Sequence, residues 1–306
     1  MITGGAGFIG SHLAERCLAE GHRVIAIDNL STGRLGNIQK GITFLHADIC
    51  DPSITTIFQK EKPDIVFHLA AQISLQNSLR NPVQDAQTNT LGTINLLHAS
   101  KTVGIQKFIY SSTGGALYGE PEYFPCDENH PITPLSPYGQ SKYFGEQYIQ
   151  LYSRIFRLNY VSLRYSNIYG PRQDPKGEAG VVAIFTNNML GKQTPNIFGD
   201  GSQTRDFLYV SDVVNANILA LSEKANGAYN IGSGIETSVI SLYRELSELL
   251  HFKKEPAYRP ARTSEVSRIA LDSTKALTEM GWKPEVELQK GLAITAEYIA
   301  ANRNPK

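Results

Sequence analysis

The sequence predicts an α/β protein built on a doubly wound parallel sheet, and three observations predict it. A glycine-rich turn, Gly4-Gly5-Ala6-Gly7-Phe8-Ile9-Gly10, follows a strand stub at Met1-Ile2-Thr3. Short apolar strands then alternate with helical patterns through the first half of the chain, an order that implies a parallel sheet covered on both faces. Finally, Pro137-Tyr138-Gly139-Gln140-Ser141-Lys142 sets a phenol and an ammonium four residues apart at the start of a helix, which puts them on one face.

Composition bounds the answer. With 306 residues, 41% hydrophobic and 19% charged, the chain can bury a sizeable core in one large or two intimately joined domains. Lys+Arg and Asp+Glu balance at 29 each, without a basic run or stripe, so neither nucleic acid nor an anionic membrane surface is an expected partner. The three cysteines, Cys17, Cys50 and Cys126, are odd in number and lack paired metal-ligand spacing. They predict a reduced, cytoplasmic chain with no metal site. The longest apolar runs, such as Asp64 to Ala71, are far shorter than the roughly 20 residues a bilayer requires, and no secretory leader pattern opens the chain.

The elements follow in order. Gly4, Gly7 and Gly10 recur at the turn, and Phe8, Ile9, Leu13 and Leu18 continue at a helical period, which reads as strand, tight turn and helix. Such a turn lets backbone amides approach a pyrophosphate at the positive end of the helix. Arg23 to Asp28 is a second strand ending in a carboxylate eighteen residues after Gly10, where a Rossmann-type site needs an acceptor for the ribose hydroxyls. The charge of Asp28 selects NAD over NADP, whose extra phosphate it repels. Asn29, Ser31, Thr32 and Gly33, in the loop beyond, join the candidate cofactor set. The shortness of the first strand places the natural start a few residues upstream of Met1.

Further strands are expected at Ile42 to Leu45, Asp64 to Leu69, Lys107 to Tyr110 and Tyr160 to Leu163. Asp48 and Ile49 follow the third strand at the carboxyl edge of the sheet, and Leu69-Ala70-Ala71 follow the fourth, where small residues leave room for a cofactor. One helix is expected from Val83 to Val103, carrying Asn89. Ser111-Ser112-Thr113 end a strand in hydroxyls before a Gly-rich loop, about twenty-five residues ahead of Tyr138 and on the same sheet edge. A Tyr-x-x-x-Lys by itself is common on protein surfaces. In this company the charge of Lys142 is expected to favour the phenolate and lower Tyr138 from its ordinary pKa of about 10.

Past Tyr165 the alternation becomes irregular. This predicts a smaller α/β substrate-binding domain at the carboxyl edge of the sheet, with residues 1–164 forming the cofactor domain and 165–306 mainly the substrate domain. The two are interleaved, because the segment at about 206–232, with the apolar helix Val213 to Leu221, returns to the first lobe. Arg205 and Arg262 are candidates for a diphosphate, since guanidinium forks match phosphate oxygens. A surface salt bridge is the competing use of an isolated arginine.

Together the glycine turn, Asp28, the Ser111-Ser112-Thr113 strand end and Tyr138-x-x-x-Lys142 resemble the extended short-chain dehydrogenase/reductase family, the NAD-dependent epimerases and dehydratases of nucleotide sugars. The likeness extends over essentially the whole chain, through Leu163 to Arg172, Gly199-Asp200-Gly201 with Thr204 to Phe207, Tyr229 to Gly232 and Gly281-Trp282-x-Pro284. Ser112 to Ala116 and Gly177 to Val182 are similar to the shorter bacterial and archaeal members that epimerise UDP-hexoses at C4. The resemblance implies bound NAD, a UDP-sugar substrate and a homodimer in which the helices at 83–103 and 138–156 pair with their symmetry mates. It implies cofactor contacts at Asn89 and Tyr165, and substrate contacts at Thr113, Asn167, Val182, Arg205 and Arg262. Ile269, seven residues beyond Arg262, would wall off the 2-substituent of the hexose.

The implied chemistry assigns Thr113, Tyr138 and Lys142 to catalysis. Tyr138 takes the proton of the sugar 4-hydroxyl near Thr113, hydride leaves C4 for the nicotinamide, and a 4-keto sugar turns over before hydride returns. Relatives of other activity remain in view: epimerases of UDP-N-acetylglucosamine or of uronates, 4,6-dehydratases, decarboxylases, and a non-catalytic NAD-binding protein. Dehydratases and decarboxylases are expected to carry an acid just after the catalytic hydroxyl, where this chain has Gly114 and Gly115. GDP-sugar epimerase-reductases are expected to use a Cys and a His near the sugar, for which Cys126 and His130 are the candidates. Ser264 departs from the family pattern, which has glycine there.

Overall fold

The computed structural model describes residues 1–175, 180–262 and 265–303. Gly177, Glu178, Ala179 and Ser264, used above in the resemblance, lie outside them. In chain order, β1 (Ile2–Thr3), α1 (Phe8–Ala19), β2 (Ile25–Asp28), β3 (Thr43–His46), α2 (Ile54–Glu61) and β4 (Ile65–His68) come first. Then follow α3 (Leu75–Arg80), α4 (Pro82–Ala86), α5 (Gly92–Val103), β5 (Lys107–Thr113), α6 (Gly114–Leu117), α7 (Pro137–Phe156) and β6 (Tyr160–Tyr165). Among the described residues, a 7-stranded sheet has the order β10-β6-β5-β4-β1-β2-β3, where β10 is the later strand Gly227–Ile231. All its pairings are parallel. The chain builds outward one way from β1 and the other way from β4, so a crevice opens at their carboxyl ends, where such sheets bind ligands.

Side-chain alternation explains the two covered faces. Ala26, Phe67 and Ile109 join Leu13, Ala14 and Cys17 of α1 in one core. Their sequence neighbours Ile25, Ile27, Val66, Phe108 and Tyr110 face the opposite way and pack with Phe58 of α2, Leu96 and Leu97 of α5 and Ile149 of α7. Successive strand residues point to opposite faces, so each strand feeds both cores. Helix α7 is set at its start by Ser136, whose Oγ accepts the Gly139 amide at 3.1 Å, and by Pro137 at its first position. The helix expected from Val83 to Val103 is not uniform. A π-helical turn at Gln87–Leu91 separates α4 from α5, and such turns cluster at functional sites.

The second half is built of β7 (Asn167–Tyr169), α8 (Val181–Leu190), β8 (Asn196–Phe198), β9 (Thr204–Tyr209), α9 (Val210–Leu219), β11 (Glu236–Ser238), α10 (Val239–Leu249), β12 (Ala257–Arg259), α11 (Thr274–Met280) and α12 (Leu288–Asn302). Strands β11-β9-β7 form a small sheet and β12-β8 a pair. Phe185, Leu242, Tyr243, Leu246 and Leu292 fill the core between them. Val213, Val214 and Ala216 of α9 belong instead to the α1 face of the large sheet, and β10 pairs with β6.

Candidate active site

A cleft of about 460 Å³ runs along the carboxyl ends of the strands. At one end the glycine turn presents Gly4, Gly7, Phe8, Ile9 and Gly10. Gly4 has φ +69°, and a Cβ there would lie 2.7 Å from the Ala70 amide nitrogen, so only glycine lets the turn pass so close to the end of β4. Asp28 is nearly buried. Its carboxylate accepts the amides of Ala6 at 3.0 Å and Leu30 at 2.8 Å, which fixes it at the cleft wall. Asn29, Ser31, Thr32, Asp48, Ile49, Leu69, Ala70 and Ala71 continue that wall. Asn29 Nδ2 donates to Asp48 Oδ2 at 2.9 Å, joining the loops after β2 and β3.

Two residues expected at the cofactor stand behind the cleft. Gly33 is not on its surface. It packs against the Asp28 carboxylate, where a Cβ would come within 2.6 Å of Oδ1. Asn89, 1% exposed, is likewise off the surface. The π turn aims its side chain at the backbone of Gln72, donating to the carbonyl and accepting from the amide, each at 2.9 Å.

In the middle of the cleft Thr113, the last residue of β5, meets Tyr138 and Lys142 from the first turns of α7. Ser111 and Ser112 line the cleft beside Thr113. The Thr113 side chain lies close enough to the Tyr138 hydroxyl to favour its phenolate. Lys142 is 3% exposed, and its Nζ lies 4.2 Å from the centroid of the Tyr110 ring. The lowered tyrosine pKa expected from the Tyr–Lys spacing is not what this pocket produces. Although part of the Tyr138 ring faces the cleft, burial of its hydroxyl pushes the pKa up to about 12, against the Thr113 side chain that favours the phenolate. Burial also brings Lys142 down to about 7, opposed by the charges of Glu146 and Asp85. Desolvation outweighs pairing at both groups. A cationic nicotinamide ring fits this arrangement, since it would favour the phenolate where Lys142 alone does not.

The far end is lined by Tyr165, Asn167, Val182, Arg205 and Arg262. Tyr165 accepts a 2.7 Å hydrogen bond from Asn217 of α9. Asn167 Oδ1 is buried without a hydrogen-bond partner. Arg205 reaches Glu265 at 3.4 Å and the Thr204 carbonyl at 2.7 Å, while Arg262 stacks 3.9 Å from the centroid of Phe198. Ile269 is not in the cleft. It is 1% exposed, in a cluster with Tyr118, Cys126, Val266 and Leu271, and of these Val266 also reaches the cleft surface. The reason is register. Ser267 is fastened outward through its amide and hydroxyl to the Glu120 carboxylate, at 2.6 and 2.5 Å, with Val266 before it at the cleft edge of the cluster and Ile269 after it in the interior.

Cys126 and His130 are also outside the cleft. Cys126 is buried in that cluster, and His130 Nε2 accepts the Glu122 amide at 2.9 Å, leaving Nδ1 to donate to the Pro131 carbonyl at 2.8 Å. Gln173, Glu265, Val266 and Phe207 line the cleft without having been singled out in the sequence. Glu265 had a readable signal, a carboxylate three residues after Arg262.

A nucleotide crevice with an acidic strand end, joined to a Tyr–Lys helix beside strand-end hydroxyls, defines a dinucleotide-dependent enzyme class of the short-chain type. The model of the NAD dependent epimerase/dehydratase family matches residues 1–232, and the chain belongs to that family. It is 42% identical to the UDP-glucose 4-epimerase of Mycolicibacterium smegmatis, over 98% of this chain and 97% of that protein. Among solved structures, the Thermotoga maritima UDP-glucose 4-epimerase with UDP-glucose superposes with a TM-score of 0.97 at 47% identity, covering 99% of both chains. The Thermus thermophilus UDP-glucose 4-epimerase in complex with NAD gives 0.93 at 40% identity, covering 98% of both.

Proposed function

We propose that this chain inverts C4 of a UDP-hexose, interconverting UDP-glucose and UDP-galactose through a 4-keto sugar. The observation that carries the reading is the meeting of Thr113, Tyr138 and Lys142 in one cleft with the Asp28 wall and the two arginines. The glycine turn and Asp28 would hold NAD, which supplies an acceptor for the C4 hydride and returns it to either face of the sugar. Tyr138 takes the 4-hydroxyl proton and gives it back, a role for which general acid–base groups contribute about 10² to 10⁴ in rate. Thr113 holds the hydroxyl being deprotonated, and Lys142 stabilises the phenolate when charged. Asn167, Arg205 and Arg262 anchor the nucleotide diphosphate while the ketone reorients.

The carboxylates favour epimerisation over dehydration or decarboxylation. Among the described residues lining the cleft, they are Asp28 and Asp48 at the cofactor end and Glu265 against Arg205. None stands beside Thr113, where Gly114 and Gly115 begin α6. Incubation with a panel of nucleotide sugars, read by NMR, should show UDP-glucose and UDP-galactose reaching a mixture from either side. Formation of a stable 4-keto-6-deoxy sugar or release of carbon dioxide would replace the reading with dehydration or decarboxylation.

The same reading includes a homodimer and a cytoplasmic setting. Val83 and Leu91 on one side, and Phe144, Tyr148, Leu151 and Ile155 on α7, leave an apolar strip exposed; Val83 is 71% and Ile155 58% accessible. A second copy would cover it as a four-helix bundle. Sedimentation at micromolar concentration should give twice the chain mass, and a monomer there ends the proposal. Three free cysteines fit a reducing compartment, and no described helix is long and apolar enough to cross a membrane.

A further inference from the structure

Behind the cleft a buried carboxylate has no part in the chemistry above. Asp85 of α4 is fully buried. Its Oδ1 accepts from Gln72 Nε2 at 2.7 Å and Asn89 Nδ2 at 3.1 Å, and its Oδ2 is buried without a hydrogen-bond partner. A buried carboxylate is costly unless something offsets it. The same Asn89 amide that holds the Gln72 backbone also reaches Ser141 Oγ at 3.2 Å, and Ser141 donates to the Tyr138 carbonyl at 3.0 Å. Thr90 Oγ1 adds a bond to the Ser141 carbonyl at 3.2 Å. Hydrogen bonds therefore run from Asp85 to the chain just past β4 and to the turn of α7 between Tyr138 and Lys142.

We propose that Asp85 is a positioning residue, which fixes the Ala70–Gln72 wall of the cofactor cleft against the Tyr138–Lys142 turn and supplies a counter-charge to Lys142. This rests on the reading of Tyr138 and Lys142 as the acid–base pair. The groups facing Lys142 are Glu146 from its own helix, Asp85 from α4, Tyr110 from β5 and His68 from β4. Glu146 is engaged by Arg164, at 2.8 Å. His68 is held well below its usual pKa by burial and by Lys142, so it is neutral. Asp85 keeps one buried oxygen uncommitted. Its field favours the ammonium and opposes the Tyr138 phenolate.

The sign of the effect distinguishes charge from structure. Asp85→Asn keeps an oxygen for Gln72 and Asn89 but loses the charge, so Lys142 and Tyr138 should both ionise at lower pH. Both limbs of the pH profile of kcat should then move acidward, by about one unit, and Asp85→Glu should bring them back. Asn89→Leu removes the bonds to the Gln72 backbone, Asp85 and Ser141 and so cuts the tie while keeping the charge; it should leave both limbs in place and weaken NAD retention roughly tenfold, measured by dialysis of the holoenzyme. Limbs that stay fixed in Asp85→Asn, with only the height of the profile changed, overturn the counter-charge. Wild-type NAD retention in Asn89→Leu overturns the tie. Wild-type turnover in Tyr138→Phe would strike the acid–base reading instead, and the tie would then be judged on NAD retention alone.

Discussion

The cofactor half of the cleft is assembled from the ends of paired strands, whereas the sugar half is walled in part by Glu265 and Val266, at the start of a segment that belongs to no named strand and is held by isolated backbone bonds and by side chains. On the first side, β1 and β4 hold the glycine turn and the Ala70 wall in one register, Thr3 opposite His68. On the second side the fastenings include Ser267 on Glu120, Arg268 on Glu236 at 2.6 Å and the Leu271 amide on Asp206 at 3.1 Å, with single backbone bonds from the Thr204 amide to Ser267 and from the Cys126 amide to Ala270. A strand ladder sets orientation by its period of two. A side-chain strap sets it by whichever partners happen to lie beside it, and those partners are distant in sequence. The two halves should therefore respond differently to substitution.

The largest effect should come from Tyr138→Phe, at the junction of the two halves. Its loss removes the proton acceptor and nothing from the cofactor wall, so kcat should fall about 10² to 10⁴-fold with NAD still bound and the fold intact by circular dichroism. Retention of the rate would mean that the base lies elsewhere in the cleft. Thr113→Val should cost less, since it removes only the hydroxyl that holds the substrate oxygen.

This contrast marks how far the sequence could be read. The glycine turn, Asp28, the strand-end hydroxyls and the Tyr–Lys turn sit on elements whose geometry follows from local pattern, and their joint position on one sheet edge follows from βα alternation. Asn89 was named for a cofactor contact but not as the clamp on Gln72, because that depends on a π turn with no sequence mark. Asp85, four residues before Asn89, carries the i, i+4 relation that could have exposed it. The raised pKa of Tyr138 was illegible for another reason. Spacing reveals a neighbouring charge but says nothing of water, and here loss of water dominates both members of the pair.

A smaller effect is expected within the anchoring end. Arg205 is already paired with Glu265, so a diphosphate must compete for its guanidinium. Charge-assisted hydrogen bonds of this kind are worth about 1.5–3 kcal/mol. Arg205→Ala should accordingly raise KM for the nucleotide sugar roughly 10- to 100-fold while changing kcat little. A matching fall in kcat with unchanged KM would place Arg205 in the chemical step rather than in anchoring.

The smallest effect on turnover concerns the choice of sugar, and it tests the strap itself. Val266 and Ile269 share the cluster with Tyr118 and Leu271, but only Val266 of the two also lines the cleft. If that register governs the sugar wall, Val266→Tyr should lower kcat/KM for UDP-N-acetylglucosamine relative to UDP-glucose, by the 1–3 kcal/mol that steric discrimination in an apolar pocket is worth, about 10- to 200-fold. Ile269→Ser should leave that ratio where it is and destabilise the protein instead, by about 2–4 kcal/mol, because it opens a cavity and buries a hydroxyl. Thermal melts and competition kinetics on the two variants separate the outcomes. A ratio that moves with Ile269 and not with Val266 would mean that the strap turns its other face to the sugar when substrate is bound. In that case the fastenings at Glu120 and Glu236 would have to break during the cycle. Glu120→Gln, which weakens the hold on Ser267, should then raise turnover rather than lower it.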